Sequence, residues 1–257
     1  MVSIVTLLIT SGLSYQTPVS VQTSDGLRPA STLPTNVQSN PNLTPEMRGD
    51  IMVARKMFRE AIDFYKTGAN TNAVLANKTG IAYHQLSDLD NAKKYYEKAV
   101  KLKPNYAEAI NNLGTIYYAQ KSYRRAVNQY RKALQIAPRS ASMLSNLGTA
   151  LFARKQYDEA LKNYELALAI DPDIFEQRGT QGVLIQERSV EERAKYYYAL
   201  AKIYAKAGVT DRTLQYIRRA LEQGFKEREK FTADPEFVFL KDNVEFQQIL
   251  AAEHKVL

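Results

Sequence analysis

Residues 107–140 read AEAINNLGTIYYAQKSYRRAVNQYRKALQIAPRS. Apolar residues recur at helical spacing on both sides of a polar break at Gln120–Ser122, and Pro138 marks a stop. That pattern predicts two amphipathic helices joined by a tight turn. The flanking sequence repeats it. Gly80, Gly114 and Gly148 are spaced 34 apart, and so are Ala92, Ala126 and Ala160. Tyr96, Tyr130 and Tyr164 keep the same interval, as do Ala99, Ala133 and Ala167, and Pro104, Pro138 and Pro172. Five columns holding one period over three units predict a solenoid.

Each column has a physical cause. Glycine or alanine at the eighth and twentieth positions of a unit lets its two helices approach closely. The tyrosine at the twenty-fourth position fills the space beside them. Alanine at the twenty-seventh admits the next unit. Proline at the thirty-second ends the second helix, because the residue before a proline leaves the α region. One unit cannot bury its apolar stripe alone, so neighbours stack and share a core. These residues resemble the tetratricopeptide repeat family. The likeness is close at Leu113, Gly114, Tyr117, Ala126, Tyr130, Ala133 and Pro138, and again at Leu147, Gly148, Ala160, Tyr164, Ala167 and Pro172. The chain departs from the family where Ile110 and Leu144 replace its frequent tryptophan and Leu151 its usual tyrosine. These exchanges keep the positions apolar. The resemblance implies an all-α fold, an α-solenoid of helix-turn-helix units with capping helices at both ends.

Working outward, units are expected at 73–106, 107–140 and 141–174, the first carrying Thr79 where leucine is usual. A 175–193 insertion follows, with Gly179 and Gly182 opposing helix. It reads either as a loop on a binding face or as a tolerated spacer. Ser189 with Glu192 marks a new helix start, and a degenerate unit runs over 194–227 in register, with Leu200, Ala201, Tyr204, Thr213, Ile217 and Ala220. Asn105 with Glu108 has the spacing of a capping box for the second unit. Helix starts at Asp234-Pro235 and Asp242-Asn243, with Phe237, Leu240, Phe246 and Ile249 between and beyond them, predict a C-terminal cap over 228–257; a partner-docking peptide is the alternative. At the other end, Thr44-Pro45 starts a helix expected to run to Gly68 and cap the near end. Thus 45–257 is expected to be one repeat domain. Residues 15–44 are rich in Ser, Thr, Asn, Gln and Pro and read as a linker with too little apolar surface to offset ordering entropy. Residues 1–14 begin MVSIVTLLI and resemble the middle of a secretory signal, without a preceding basic residue or a clear cleavage site. Export to a periplasmic or extracellular space follows if that segment is a signal remnant, and a cytoplasmic location otherwise.

Composition narrows the chemistry. There is no cysteine among 257 residues, so disulfides and thiolate metal sites are excluded. The two histidines, His84 and His254, have neither metal-ligand nor triad spacing. The glycines are packing or loop glycines and make no phosphate loop, and the pairs Asp88/Asp90 and Asp171/Asp173 sit at expected turns. No cofactor, metal or catalytic residue is expected, and no run of 18 apolar residues suggests a spanning helix.

What remains is binding, to a partner segment whose identity and stoichiometry the sequence leaves open. In the family, six positions of each first helix line a concave face. Carried over, they give Lys78 and His84 in the first unit and Asn111, Asn112, Thr115 and Tyr118 in the second. They give Asn146, Thr149 and Phe152 in the third unit, and Tyr198 and Lys202 in the fourth. Amides there can meet a peptide backbone as donor and acceptor, or satisfy neighbouring backbone instead. Tyr118, Phe152 and Tyr198 are expected as flat anchors. The two-carboxylate clamp with which some relatives grip acidic chaperone tails is mostly missing: Asn77, Ser142 and Asn146 stand where basic residues are needed, and in the next register Asn111 and Ala199 fail although Lys195 fits. The net charge of +8 lies mainly on second helices, at Lys93, Lys94, Lys98, Lys101 and Lys103, then at Arg124, Arg125, Arg131 and Lys132. These read as solvated faces. A second reading makes them a surface for RNA or another anionic polymer. Gly114→Leu overpacks the helix pair and costs about 1–3 kcal/mol or more; an unchanged melting temperature would contradict the close approach assigned to Gly114.

Overall fold

The computed structural model describes residues 41–175 and 189–252. The signal-like segment 1–14, most of the 15–44 linker, Gly179, Gly182 and His254 lie outside the described residues. The described chain is helical, without strands. In order the helices are α1 (Pro45–Ala54), α2 (Phe58–Lys66), α3 (Ala73–Gln85), α4 (Leu89–Leu102), α5 (Ala107–Ala119), α6 (Tyr123–Ile136), α7 (Ala141–Ala153), α8 (Tyr157–Ile170), α9 (Val190–Lys206) and α10 (Thr210–Glu222). A short α11 (Lys230–Ala233), a 3-10 helix (Pro235–Leu240) and α12 (Val244–Ala251) follow. Helices pair α1/α2 through α9/α10, and each second helix from α2 to α6 packs on the first helix of the next pair.

The two helices of a pair differ in how they are buried. On α7, residues from Met143 to Phe152 are buried on nearly every side, because the helix lies between its own partner and the neighbouring pairs. The second helix α6 buries only one stripe, Ala126, Val127, Tyr130 and Ala133. Second helices stop at Leu102, Ile136 and Ile170. The residue ahead of each proline (Lys103, Ala137, Asp171) is out of the helical region. First helices end in a left-handed residue, Lys56, Ser87, Lys121, Lys155 or Gly208. The next amide then reaches back five residues; Ser122 N–H, for example, donates to the Tyr117 carbonyl at 2.8 Å. This closes the turn and satisfies a carbonyl the helix would otherwise leave bare.

Inside each pair the glycine faces a tyrosine ring. A Cβ on Gly114 would stand 2.7 Å from the Tyr130 ring, and one on Gly80 or Gly148 2.6 Å from Tyr96 or Tyr164. In the degenerate pair α9/α10 both partners change together: Ala201 replaces the glycine and Ile217 the tyrosine, and both are fully buried. The hydroxyl side changes too. Tyr130 and Tyr164 each donate to a threonine, Thr115 and Thr149, at 3.2 Å, whereas Lys202 stands in that position opposite Ile217.

Two expectations need correction. The segment from Pro45 to Gly68 is two helices, broken at Lys56, which takes a positive φ. Gly49, Ala61 and Tyr65 stand 31 residues ahead of Gly80, Ala92 and Tyr96, so this pair repeats the packing at a shortened interval. α2 has nine residues where α4 has fourteen. The pair still covers the near end of the stack, through Met52, Ala61 and Tyr65 against Leu75 and Ala76. Second, Asn105 does not cap α5; Tyr106 holds that place, with no side-chain cap. The capping box at Ser189 and Glu192 is present.

Past α10 the chain folds back as a strap. Phe231, Phe237, Leu240, Phe246 and Ile249 are buried in the last core. Phe225 stacks on Tyr198 at 4.5 Å between ring centres. Arg228 donates to the carbonyl of Leu250 at 2.6 Å. Asp234 accepts from the Tyr198 hydroxyl and lies 3.0 Å from the Lys202 ammonium. Burial pushes its carboxyl up, but these two donors outweigh it and hold the pKa below the ordinary aspartate value.

The exchange at α9/α10 makes the glycine–tyrosine contact testable. Gly114→Ala alone and Tyr130→Ile alone both destabilise, the first by crowding and the second by leaving a void. The pair together costs less than the sum by about 1 kcal/mol or more in thermal or urea unfolding; strict additivity would mean that ring and glycine do not share one space. The strap gives a pH prediction. A depressed carboxyl stabilises above its unfolded-state pKa, and the effect is lost as pH falls through the folded value. The gap in melting temperature between the parent and Asp234→Asn is therefore present at neutral pH and closes as the solution is acidified below about pH 4; a constant gap would assign the stabilisation to something other than charge.

Candidate functional site

Two features meet on the face formed by the first helices. The first is a row of amides. Asn112 donates to Asn77 Oδ1 at 3.0 Å, and Asn146 donates to Asn111 Oδ1 at 3.0 Å. Asn111 and Asn112 are joined more loosely, at 3.5 Å. Residues five and six of consecutive units thus bridge α3, α5 and α7. The bridges fit the spacing of the helices: α5 and α7 touch directly, so this side of the stack is the tight, inner side. The row satisfies itself through side chains, not through neighbouring backbone. Asn77 is buried, and Asn111, Asn112 and Asn146 are half-exposed. Among the described residues, Asn146 Oδ1 has no partner, and each of the three half-exposed amides keeps a second N–H uncommitted.

The second feature is a cleft of about 400 Å3 at the far end of the row. Its apolar walls are Phe152, Tyr157, Leu161, Ala199 and Phe225, with Tyr198 between them. Lys195, Lys202, Lys230, Glu227 and Asp234 stand at its rim. In the fourth unit Tyr198 and Ala199 occupy the register positions that hold amides in the second, so the row runs into the cleft by sequence register. The rim charges are matched locally. Lys195 pairs with Glu191 at 2.8 Å, Lys202 with Asp234 and Glu236, and Lys230 with Glu227.

The expected surface residues therefore divide. Asn111, Asn112 and Asn146 are together on the inner face. Tyr198 and Lys202 line the cleft but are engaged by the strap through Asp234. Lys78 is held by Glu46 at 2.8 Å and Asp50 at 2.7 Å, tying α3 to α1. Burial opposes its charge, yet those carboxylates raise its pKa overall. His84 is half-buried, and desolvation lowers its pKa, favouring neutral imidazole. Thr115 and Thr149 are buried and accept the tyrosine hydroxyls of the core, which explains why they offer no open hydroxyl row. Tyr118 and Phe152, expected as exposed anchors, are 4% and 5% exposed. Tyr118 packs against Tyr123, and Phe152 against Tyr157 and Tyr196, because the following helix leans over the end of each first helix. Phe152 reaches the cleft only as part of its wall.

Sequence reasoning missed Tyr157, Leu161 and Phe225. Tyr157 lies on a second helix, outside the carried-over positions, and Phe225 comes from the strap. The one available signal was Gly224-Phe225 standing where the other units have a stop proline. Among the described residues no group of His, Asp or Glu is placed to hold a metal ion, and no helix is long and apolar enough to cross a membrane.

A family comparison agrees with this architecture. The tetratricopeptide repeat family matches residues 77–141 and 111–173. No curated protein matches the chain. Among solved structures, a crystal structure of MamA is 22% identical over 68% of this chain and 93% of that one, with a TM-score of 0.48. MamA from Desulfovibrio magneticus RS-1, residue 41 to its end, is 20% identical over 68% of this chain and 90% of that one, with a TM-score of 0.48. YrrB, described as a tetratricopeptide repeat protein with an unusual peptide-binding site, is 16% identical over 77% of this chain and 95% of its own, with a TM-score of 0.48. With their period of 34, their glycine–tyrosine pairs and the match across three consecutive units, residues 77–173 are tetratricopeptide repeats.

Proposed function

We propose that this chain is a non-catalytic protein-interaction scaffold that holds an extended segment of a partner protein along the inner face of its first helices. The observation that carries this reading is the half-exposed amide row of Asn112, Asn111 and Asn146 in register with an apolar cleft. Uncommitted amide N–H groups and Asn146 Oδ1 can pair with the backbone of an extended peptide, and the cleft can take one apolar or aromatic side chain. The amides already hold one another in place, so little receptor ordering is needed on binding.

Peptides selected from a displayed random library test the proposal by calorimetry. Asn111→Ala with Asn146→Ala, and separately Leu161→Glu, should weaken a selected peptide at least about tenfold, the size expected for losing one or two net hydrogen bonds or one apolar anchor. Helicity by circular dichroism should be retained. If the selected peptides bind both variants as they bind the parent, the inner face is not where they sit.

A further inference from the structure

The cations of the outer surface are not evenly shared. Among the second helices of the stack, α6 alone contains no carboxylate; it carries Arg124, Arg125, Arg131 and Lys132. All four are exposed. Arg124 and Arg131, and likewise Arg125 and Lys132, are seven residues apart, which places them two turns apart in parallel rows. Arg131 pairs with Glu159; among the described residues Arg124, Arg125 and Lys132 have no acidic partner. The next turn adds to the patch. Arg154 lines a shallow depression with Lys121, Ser122, Arg124 and Arg125. A second depression shares Arg125 and adds Arg131, Lys132, Asn128, Gln129 and Gln135, over the Tyr117 ring. No aspartate or glutamate lines either one. On α4, by contrast, Asp90 and Glu97 intersperse the lysines.

We infer that this outer face of α6 is a second binding surface, distinct from the inner face, which takes a single-stranded nucleic acid through its phosphate backbone. The unpaired guanidinium groups of Arg124 and Arg125, with the Lys132 ammonium two turns on, fit successive phosphates, since each guanidinium fork donates two hydrogen bonds to one phosphate. The amides of Asn128, Gln129 and Gln135 both donate and accept, as ribose and base edges require. A bilayer is the poorer fit. Ile136 is the single large apolar side chain that α6 exposes, Tyr117 and Tyr123 are only half-exposed, and Arg125 already covers the Tyr117 ring, which leaves too little apolar surface to enter a membrane.

The test is fluorescence anisotropy with a labelled 20-nucleotide single-stranded RNA and the full chain. The parent should bind at 50 mM salt and lose roughly fifty-fold in affinity at 200 mM, as about four single-strand phosphate contacts require. Arg124→Glu with Arg125→Glu and Lys132→Glu should weaken binding at 50 mM salt at least about tenfold. Reversing three exposed lysines elsewhere, Lys101, Lys226 and Lys241, changes net charge equally and should move the affinity less than about twofold if the site is local. Equal losses in the two triple variants would reduce the effect to net charge and overturn the inference. So would absence of RNA binding at 50 mM salt. Two further outcomes also overturn it: sedimentation with phosphatidylserine vesicles in place of RNA binding, or displacement of the RNA by polyglutamate at equal charge. Circular dichroism of both triple variants confirms that the fold survives.

Discussion

A tyrosine ring laid against a glycine sets the distance between the two helices of every regular unit. The ring occupies the place a Cβ would need, so neither residue can change alone. Tyr96, Tyr130 and Tyr164 are each 1% exposed or less, and each supplies more apolar area than any other residue of its second helix's buried stripe. The hydroxyl then fixes the rotation. In the second and third units it reaches across to the threonine one residue past the glycine, so the tyrosine reports on both the separation of the helices and their register. Once each pair has a fixed width, alanines such as Ala99 and Ala133 can let the next pair seat at a constant offset, and a solenoid follows from repetition.

Fixed seating has consequences on both surfaces. Inside, first helices approach closely enough for side chains one unit apart to bond, which produces the asparagine row. Outside, second helices diverge, and their polar faces meet fewer neighbours. Charges there are less constrained by packing than the side chains of the first helices. The acid-free face of α6 is therefore not explained by stability: like charges clustered on one helix repel, and a few carboxylates would relieve that.

The fold was legible because its determinants are local and repeat. Gly114, Ala126, Tyr130 and Pro138 each mark a contact that returns at a fixed interval. The same triad at Gly49, Ala61 and Tyr65 escaped because the interval there is 31; the spacing within the pair, which packing sets, is kept, while the helix length, which packing tolerates, is not. The candidate site was less legible. Positions in the family's register identify which side of a helix faces inward, and that register puts Asn111, Asn112 and Asn146 on one side, where they bond to one another and to Asn77. They do not tell how far the next helix leans over. Tyr118 and Phe152 were lost to that lean, and Thr115 and Thr149 to the reach of the tyrosine hydroxyls. The strap was visible as buried aromatics, but its grip on Tyr198 and Lys202 depends on Asp234, 36 residues from Tyr198, and no periodicity links them.

That grip also explains why the cleft lies where it does. One more regular first helix would cover α10 and continue the inner face. The strap covers α10 with α12 instead, and brings Phe225, Lys230 and Asp234 round to the inner side. Ending the stack this way replaces a flat helix face with a walled depression. The departures from the repeat (Ala201 for glycine, Ile217 for tyrosine, Gly224-Phe225 for the stop proline) cluster in the one unit that borders it. In a structure built by repetition, a concave wall has to be made where the repetition fails, and here it fails in the unit that follows the last amide of the row.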